Sequence, residues 1–297
     1  MQKSKHAMFI LIVVATTTIY GLGNVLMKIA YEGVSPMWCA ALRFGLATVV
    51  FLLVFGRKVL PSLRRARLRA WLPSSLCMAA TYLTCSLAVN MTSATNAGFF
   101  VALPMLFTPV LSLVVTGRKF GKGTVLLQGA VIAGLYLLCC NGGALTFGWG
   151  ELLGLASSAC LAASLVLGER GLGEVDAFAM STAQIGCTFA VALIAALAFE
   201  PVPDFSAAPA ASWAAIVFLG LVGTALAFFL QNLALSNIPS ATVSVVLCTE
   251  PVFTAAISAV ALGEVLEGMG IAGAVLIVAC TMMASFAEER RPAPTSA

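Results

Sequence analysis

Apolar residues run along this chain in long segments, separated by short stretches that contain glycine, proline or charged residues. Most segments are about 20 residues long, the length that an α-helix needs to cross a bilayer. Lipid satisfies no backbone polar groups, so each segment is expected to be helical. The pattern predicts an all-α integral membrane protein with ten transmembrane helices, near residues 7–29, 37–56, 72–90, 97–117, 124–142, 150–168, 178–199, 211–231, 241–262 and 269–287.

Composition supports this class. Hydrophobic residues make up 61% of the chain, charged residues make up 9%, and the mean hydropathy is +1.03. A soluble domain carries about 25% charged residues, so this chain is predicted to fold with the lipid bilayer as its partner. The basic residues lie beside the apolar segments rather than along a soluble face, so no nucleic acid is expected as a partner.

A short motif recurs and divides the chain into two similar halves. Ser93-Ala94-Thr95 and Ser240-Ala241-Thr242 each open an apolar segment, and the segments then carry Pro104 and Pro251 respectively. Internal duplication in an apolar chain is typical of secondary transporters, whose halves enclose a site near the bilayer midplane. We expect a first half at 1–144, a second half at 145–287 and a disordered cytoplasmic tail at 288–297.

The distribution of lysine and arginine predicts the orientation. With a cytoplasmic N-terminus, all but two of the 16 basic residues fall on the cytoplasmic side, the exceptions being Lys28 and Arg43. Ten spans then place both termini in the cytoplasm of a multi-pass protein of the cytoplasmic membrane. Five spans per half give the halves opposite orientations, which agrees with basic residues after Gly117 and an acidic residue after Gly263. The predicted architecture is two inverted five-helix repeats.

The sequence shows no pattern that is typical of metal, redox or catalytic chemistry. The nine cysteines all fall within apolar segments without metal-ligand spacing, and the one histidine is His6. No nucleotide-binding loop, nucleophile triad or pair of catalytic carboxylates is present. We therefore predict no bound cofactor, no metal site and no enzymatic activity.

From about residue 15 to residue 285 the chain resembles the EamA-type branch of the drug/metabolite transporter superfamily. The order and spacing of several short elements carry this resemblance: Tyr20-Gly21-Leu22-Gly23-Asn24, Lys28, Pro36, Ala41-Leu42-Arg43-Phe44, Gly223-Thr224, Phe228, Gln231, Ala234, Ser240, Glu250-Pro251-Val252-Phe253, Gly263-Glu264 and Gly273. Gly117-Arg118 departs from the Gly-Glu of many relatives. The resemblance implies a transporter of small metabolites, often an exporter of amino acids or related compounds, and leaves the substrate and the oligomeric state open.

Glu250 is the acidic residue that the pattern places deepest in a span. A carboxylate there costs at least ~2.5 kcal/mol. Three roles remain open from the sequence. Its side chain bonds backbone groups freed by Pro251, or it meets an ammonium group of the substrate, or it carries a coupling proton.

Lys28 and Arg43 form a second candidate group near the outer ends of the first two spans. In one interpretation they extend to the interface and pair with Glu32. In the other they form an external cation pair that meets a substrate carboxylate. The corresponding positions of the second half are Glu169 and Gln184, so the shared fold does not itself require these charges.

Uncharged polar side chains complete the candidate substrate site. Asn24 lies beside Gly21 and Gly23, and glycines let helix backbones approach closely. Helix–helix adhesion and cavity lining both remain open for Tyr20, Asn24, Tyr82 and Gln231. The predicted function is a secondary transporter that works by alternating access and exports a small-molecule substrate, with possible proton coupling through Glu250. A membrane-embedded enzyme or a lipid flippase-like protein is the alternative.

Overall fold

A computed structural model describes residues 2–91, 99–117, 122–140, 147–262 and 267–289. Within these ranges the regular structure is entirely helical. The helices are α1 (Gln2–Tyr31), α2 (Pro36–Arg65), α3 (Leu68–Met91), α4 (Pro104–Thr116), α5 (Lys122–Cys140), α6 (Trp149–Gly171), α7 (Ala177–Phe199), α8 (Ala210–Phe218), α9 (Ala227–Leu235), α10 (Ser240–Leu247), α11 (Glu250–Leu262) and α12 (Gly268–Glu289). A π-helical segment, Leu219–Leu226, joins α8 to α9.

Local sequence signals account for several of the helix ends. Pro36 occupies the first turn of α2, where its missing N–H costs no hydrogen bond. Asp176 caps α7 by accepting a hydrogen bond from the Ala179 amide at 2.8 Å. Gly117 follows α4 with a φ of 71°, a left-handed conformation that glycine adopts without steric cost. These signals are local and therefore readable from sequence.

The apolar helices agree with most of the predicted spans. Six helical stretches in the described ranges are long and apolar enough to cross a membrane: Lys5–Tyr31, Pro36–Arg65, Trp149–Gly171, Ala177–Phe199, Ala210–Leu235 and Ser240–Ala261. Three shorter apolar helical stretches coincide with the fourth, fifth and tenth predicted spans: Phe99–Val115, Leu126–Cys140 and Gly268–Met283. The remaining predicted span, 72–90, lies within α3 (Leu68–Met91), which is not among these stretches. The count of ten spans therefore stays a prediction.

Several sequence-based predictions concern residues outside the ranges that the structure describes. The first copy of the repeated tripeptide, the basic residues after Gly117 and the Gly263-Glu264 pair lie outside the described residues. Helix α12 continues to Glu289, two residues into the segment that was predicted to be a tail, and residues 290–297 lie outside the description. The boundary between the two halves at residue 144 stays a prediction.

Helices that hold the same place in the two halves pack against each other. α2 lies along α7, and α5 lies along α12. α3 packs on α6 and α7, while α1 packs on α8, the π-helical segment, α9 and α11. This exchange of partners between the halves places α1 and α11 side by side near the centre, where most of the polar contacts described below are found.

The α2–α7 pair is antiparallel and is fixed at both ends by a carboxylate. Glu200, directly after α7, accepts hydrogen bonds from the Ser35 hydroxyl at 2.5 Å and from the Met37 and Trp38 amides at 3.1 and 3.2 Å. At the other end, Lys58 of α2 lies 3.4 Å from Asp176, the N-cap of α7. Equivalent helices running in opposite directions is the arrangement that two inverted halves predict.

Candidate functional site

Pro104 interrupts the fourth apolar segment, and a serine from another helix bonds the backbone groups that the interruption frees. A proline donates no hydrogen bond to the carbonyl four residues earlier, which here belongs to Phe100. The buried Ser158 hydroxyl lies 2.6 Å from that carbonyl and 2.8 Å from the Val101 carbonyl. It also accepts a hydrogen bond from the Leu103 amide at 3.0 Å. A single side chain of α6 thus stabilises the break.

The ninth apolar segment is interrupted in the same way before Pro251. α10 ends at Leu247, and α11 begins at Glu250. Between them, the Thr249 hydroxyl donates to the Val246 carbonyl at 2.7 Å and lies 3.5 Å from the hydroxyl of Thr17 in α1. α10 packs against α4, so the two interrupted helices meet inside the bundle. Sequence reasoning found both prolines but treated each segment as one continuous span.

Glycine allows α1 to approach α11 closely. A Cβ atom on Gly21 would lie 2.8 Å from the Cβ atom of Phe253 and 2.9 Å from the Thr254 amide nitrogen, which no neighbouring atom could accommodate without movement. One turn further on, the Asn24 amide group donates to Glu250 Oε1 at 2.8 Å and to Thr254 Oγ1 at 3.1 Å. The motif around Gly21 therefore brings a polar group of the first half into contact with the acid of the second half.

Tyr20 and Gln231 make a second polar contact between the halves. The Tyr20 hydroxyl donates to Gln231 Oε1 at 3.1 Å. The other amide atom of Gln231, Nε2, is buried and has no hydrogen-bond partner. Gln231 lies in α9, directly after the π-helical segment, and π-helical turns occur often at functional sites. Gln231 thus keeps one amide atom unpaired in the interior of the bundle.

Arg43 and Tyr82 form an aromatic and cationic wall beside these contacts. The guanidinium carbon of Arg43 lies 5.0 Å from the ring centroids of both Phe44 and Tyr82. The Tyr82 and Phe228 rings are stacked at 6.1 Å, and both pack against Phe44. Tyr82 therefore links Arg43 to Phe228 of α9, the helix that also carries Gln231.

The structure places the two predicted cations in different surroundings. Arg43 is 7% exposed, whereas the Lys28 side chain is exposed. The Arg43 guanidinium donates to the weak acceptor sulfur of Met27 at 3.5 Å. The interpretation in which the side chain extends to the membrane–water interface agrees with the exposure of Lys28. It does not agree with the burial of Arg43. The role of the pair in an external carboxylate site stays a prediction.

Four of the predicted site residues therefore meet in direct contacts, Tyr20 with Gln231 and Asn24 with Glu250, while Arg43 and Tyr82 adjoin one another. Tyr20, Asn24, Tyr82 and Glu250 each keep part of their surface accessible. Sequence reasoning missed Thr254 and Phe44 as neighbours of these groups. Thr254 follows Glu250 by one helical turn, which is the signal that would have found it.

No group of three or more potential metal-ligating side chains is present in the described ranges.

The counterpart of Arg43 in the second half has a different environment. Gln184 is 1% exposed and donates through Nε2 to the Ser74 hydroxyl at 2.9 Å. Its Oε1 accepts from the Asn232 amide group at 2.8 Å, and that amide group also lies 3.0 Å from the Ser181 hydroxyl. Both functional groups of Gln184 are thus satisfied within a neutral network that joins α3, α7 and α9.

An apolar helical bundle whose halves meet through two interrupted helices and an interior polar cluster defines a polytopic membrane protein with a transporter-like organisation. The model of the EamA-like transporter family matches residues 7–140 and 148–286, so the chain belongs to this family of membrane transporters and the predicted resemblance is confirmed. The two matched ranges also show the two-repeat architecture.

Individual relatives agree with this assignment. The chain is 31% identical over 147 residues to the threonine/homoserine exporter RhtA of Salmonella typhimurium, in a match that spans about half of each protein, 48% of this chain and 47% of the relative. It is 26% identical over 260 residues to the uncharacterized transporter YyaM of Bacillus subtilis, covering 84% of this chain and 85% of that protein. A crystal structure with 19% identity superposes with a TM-score of 0.81 over 97% of this chain and 98% of its own, which supports the fold.

Proposed function

We propose that the protein is a secondary transporter that exports small metabolites, amino acids or related compounds, across the cytoplasmic membrane by alternating access. Its ten spans form two inverted halves, and both termini lie in the cytoplasm. The substrate site lies where the halves meet and includes Tyr20, Asn24, Gln231 and Glu250. The hydrogen bond between Asn24 and Glu250 is the observation that carries this proposal, because it joins the two halves through a partly accessible acid at a helix interruption.

The contacts of Glu250 favour a role in transport over a purely structural one. A structural role required its side chain to bond backbone groups freed by Pro251. In the described residues its carboxylate is instead held by the side chain of Asn24. A side chain from the opposite half moves relative to Glu250 when the halves move, so the carboxylate is exposed to a new partner in each state. That partner is a proton or the ammonium group of the substrate.

Relatives supply the first substrate to test. RhtA is named as an exporter of threonine and homoserine, and it matches half of this chain. We therefore take L-threonine as the initial probe. The purified protein is reconstituted into liposomes, and counterflow of radiolabelled L-threonine is measured with and without a pH gradient. Protein-dependent movement of L-threonine or of another amino acid supports the proposal, and its absence for every standard amino acid contradicts it.

The Glu250→Gln variant tests the coupling role. The amide keeps the shape of the side chain but does not titrate, so substrate exchange is expected to persist while the response to a pH gradient is lost. Glu200→Gln is the matched control, because Glu200 is a carboxylate that only holds the start of α2. This control is expected to lower the yield of folded protein and to leave the pH response intact. A normal pH response in Glu250→Gln, at normal yield, contradicts a coupling role.

A further inference from the structure

Arg43 carries a charge for which the described residues supply no counter-ion. Its side chain is 7% exposed, and its Nε atom is buried without a hydrogen-bond partner. It forms no ion pair with a described carboxylate, and its polar contacts are the weak acceptor sulfur of Met27, at 3.5 Å, and the side chain of Tyr82. The faces of the Phe44 and Tyr82 rings hold the guanidinium in place.

These aromatic contacts do not offset the cost of burying the charge. A cation–π contact contributes about 0.5–2 kcal/mol. The effective penalty for taking an ion out of water is several kcal/mol even after relaxation. Two ring contacts at 5.0 Å orient the guanidinium but leave it electrostatically unsatisfied. Such a group is poised to bind an anion that enters the site.

The second half shows that the fold does not require a charge at this position. Gln184 occupies the equivalent position in α7 and satisfies both of its amide atoms, against Ser74 and Asn232. A neutral amide is therefore compatible with this place in the repeat. The arginine is specific to the half that also contributes Tyr20 and Asn24 to the central contacts, which ties it to the site rather than to the packing of the bundle.

We infer that Arg43 is the carboxylate-binding residue of the substrate site and that Glu250 binds the amino group of the same molecule. This inference rests on the proposed transport function and assigns the two side chains that recognise the α-carboxylate and α-amino groups of the substrate. Tyr82, over which Arg43 lies, stacks on Phe228, one helical turn before Gln231 in α9. Gln231 in turn accepts a hydrogen bond from Tyr20, one turn of α1 before Asn24, the partner of Glu250. This series of contacts brings the two charged groups to one region of the interior. The planar guanidinium, which lies over two adjoining rings, matches the geometry of a carboxylate.

The balance of charge in the site favours a zwitterion over a simple anion or a simple amine. One buried cation and one acid give the space a net charge near zero when both are ionised, which suits a zwitterion. A phosphate dianion would leave an uncompensated negative charge beside Glu250, and a simple amine would leave Arg43 unpaired. Lys28 is exposed and so does not add a second buried cation to the site.

Ligand-induced thermal stabilisation of the purified protein tests the assignment with three probes that share one side chain. L-threonine has both head groups, L-threoninamide lacks the carboxylate, and 2,3-dihydroxybutyrate lacks the amine. The wild type is expected to bind L-threonine about 10- to 100-fold more tightly than L-threoninamide. Arg43→Gln, which installs the residue found at position 184, is expected to reduce that preference to about twofold or less. Arg43→Lys keeps the charge without the planar fork and is expected to be intermediate.

Arg57→Gln is the matched control, because Arg57 lies in the same helix with an exposed side chain and loses the same charge. It is expected to keep the wild-type preference. An unchanged preference in Arg43→Gln, or a wild type that binds L-threonine and its amide equally, overturns the inference. Counterflow of amines without a carboxylate, unaffected by Arg43→Gln, also overturns it while leaving the transport function intact. No movement of any standard amino acid or amide overturns the proposed function, and this inference with it.

Discussion

Replacing Ser158 by alanine tests whether one hydroxyl maintains the interruption before Pro104. The substitution removes the acceptor of the Leu103 amide and the donor to the Phe100 carbonyl. Ser158 is 0% exposed, so water does not replace these bonds. A buried polar group that loses its partner costs about 1–3 kcal/mol. With two such groups affected, we expect Ser158→Ala to lower the free energy of unfolding by about 2–4 kcal/mol.

The counterpart in the first half gives an internal comparison. Thr17 donates to the Val14 carbonyl of its own helix at 2.8 Å and makes only a 3.5 Å contact with Thr249 at the other interruption. An ordinary side-chain hydrogen bond between membrane helices contributes about 0.6 kcal/mol, so Thr17→Val is expected to cost little more than that. Ser236, which is exposed and bonds its own helix, provides the control Ser236→Ala, expected within about 0.5 kcal/mol of wild type.

Each purified variant is unfolded in detergent by titration with sodium dodecyl sulfate, and the transition is followed by far-ultraviolet circular dichroism. The titrations give the differences in the free energy of unfolding between the variants and the wild type. Ser158→Ala should show the lowest midpoint of the series. Equal losses in Ser158→Ala and Thr17→Val, or a Ser158→Ala midpoint within error of wild type, would refute the assignment of the stabilising role to Ser158.

Two further predictions concern packing and orientation. A Cβ atom on Gly171 would collide with the backbone carbonyl of Ala70 and lie 2.7 Å from the terminal methyl of Met180, whereas one on Gly186 would meet nothing within 4 Å. Gly171→Ala should therefore destabilise the protein by about 1–3 kcal/mol, and Gly186→Ala should be neutral or slightly stabilising, in the same titration. Cysteines placed at the exposed positions 64 and 204 should react with impermeant maleimide only from the cytoplasm and only from outside, respectively. External labelling of a cysteine at position 64 would contradict the predicted orientation.

Much of the helical arrangement was readable from sequence because membrane insertion imposes strong rules on composition. The spans predicted from apolar runs coincide with the helices to within a few residues over most of the described ranges. Two interior features were not readable. The π-helical segment Leu219–Leu226 contains Gly220, Gly223 and Thr224 but no proline, and none of these residues specifies a π-helical pattern of hydrogen bonds. The prolines indicated where the two helices are interrupted. No sequence signal indicated which residues of other helices stabilise the interruptions.

The candidate site was predicted as a set of residues but not as a set of contacts. Asn24 and Glu250 are 226 residues apart in the sequence, and their hydrogen bond follows from the approach of α1 to α11 at Gly21. The burial of Arg43 was not predicted either, because its position near the outer end of a span favoured extension toward the interface. Packing against Phe44 and Tyr82 determines its position instead. Tertiary contacts of this kind have no local sequence signature.

The two carboxylates that fix α2 to α7 differ in strength, and the difference bears on how the halves move. Glu200 accepts hydrogen bonds from a hydroxyl and two backbone amides at the start of α2, an arrangement in which several charge-assisted bonds act together. At the other end, the Lys58–Asp176 pair has side chains that are 64% and 41% exposed, and an ion pair of this kind contributes about 0–1 kcal/mol. We expect a relative motion of α2 and α7 to separate first the end that is held less strongly. We therefore expect the Lys58 end to separate at lower cost than the Glu200 end; in the proposed orientation this is the cytoplasmic end, where a substrate for export would enter.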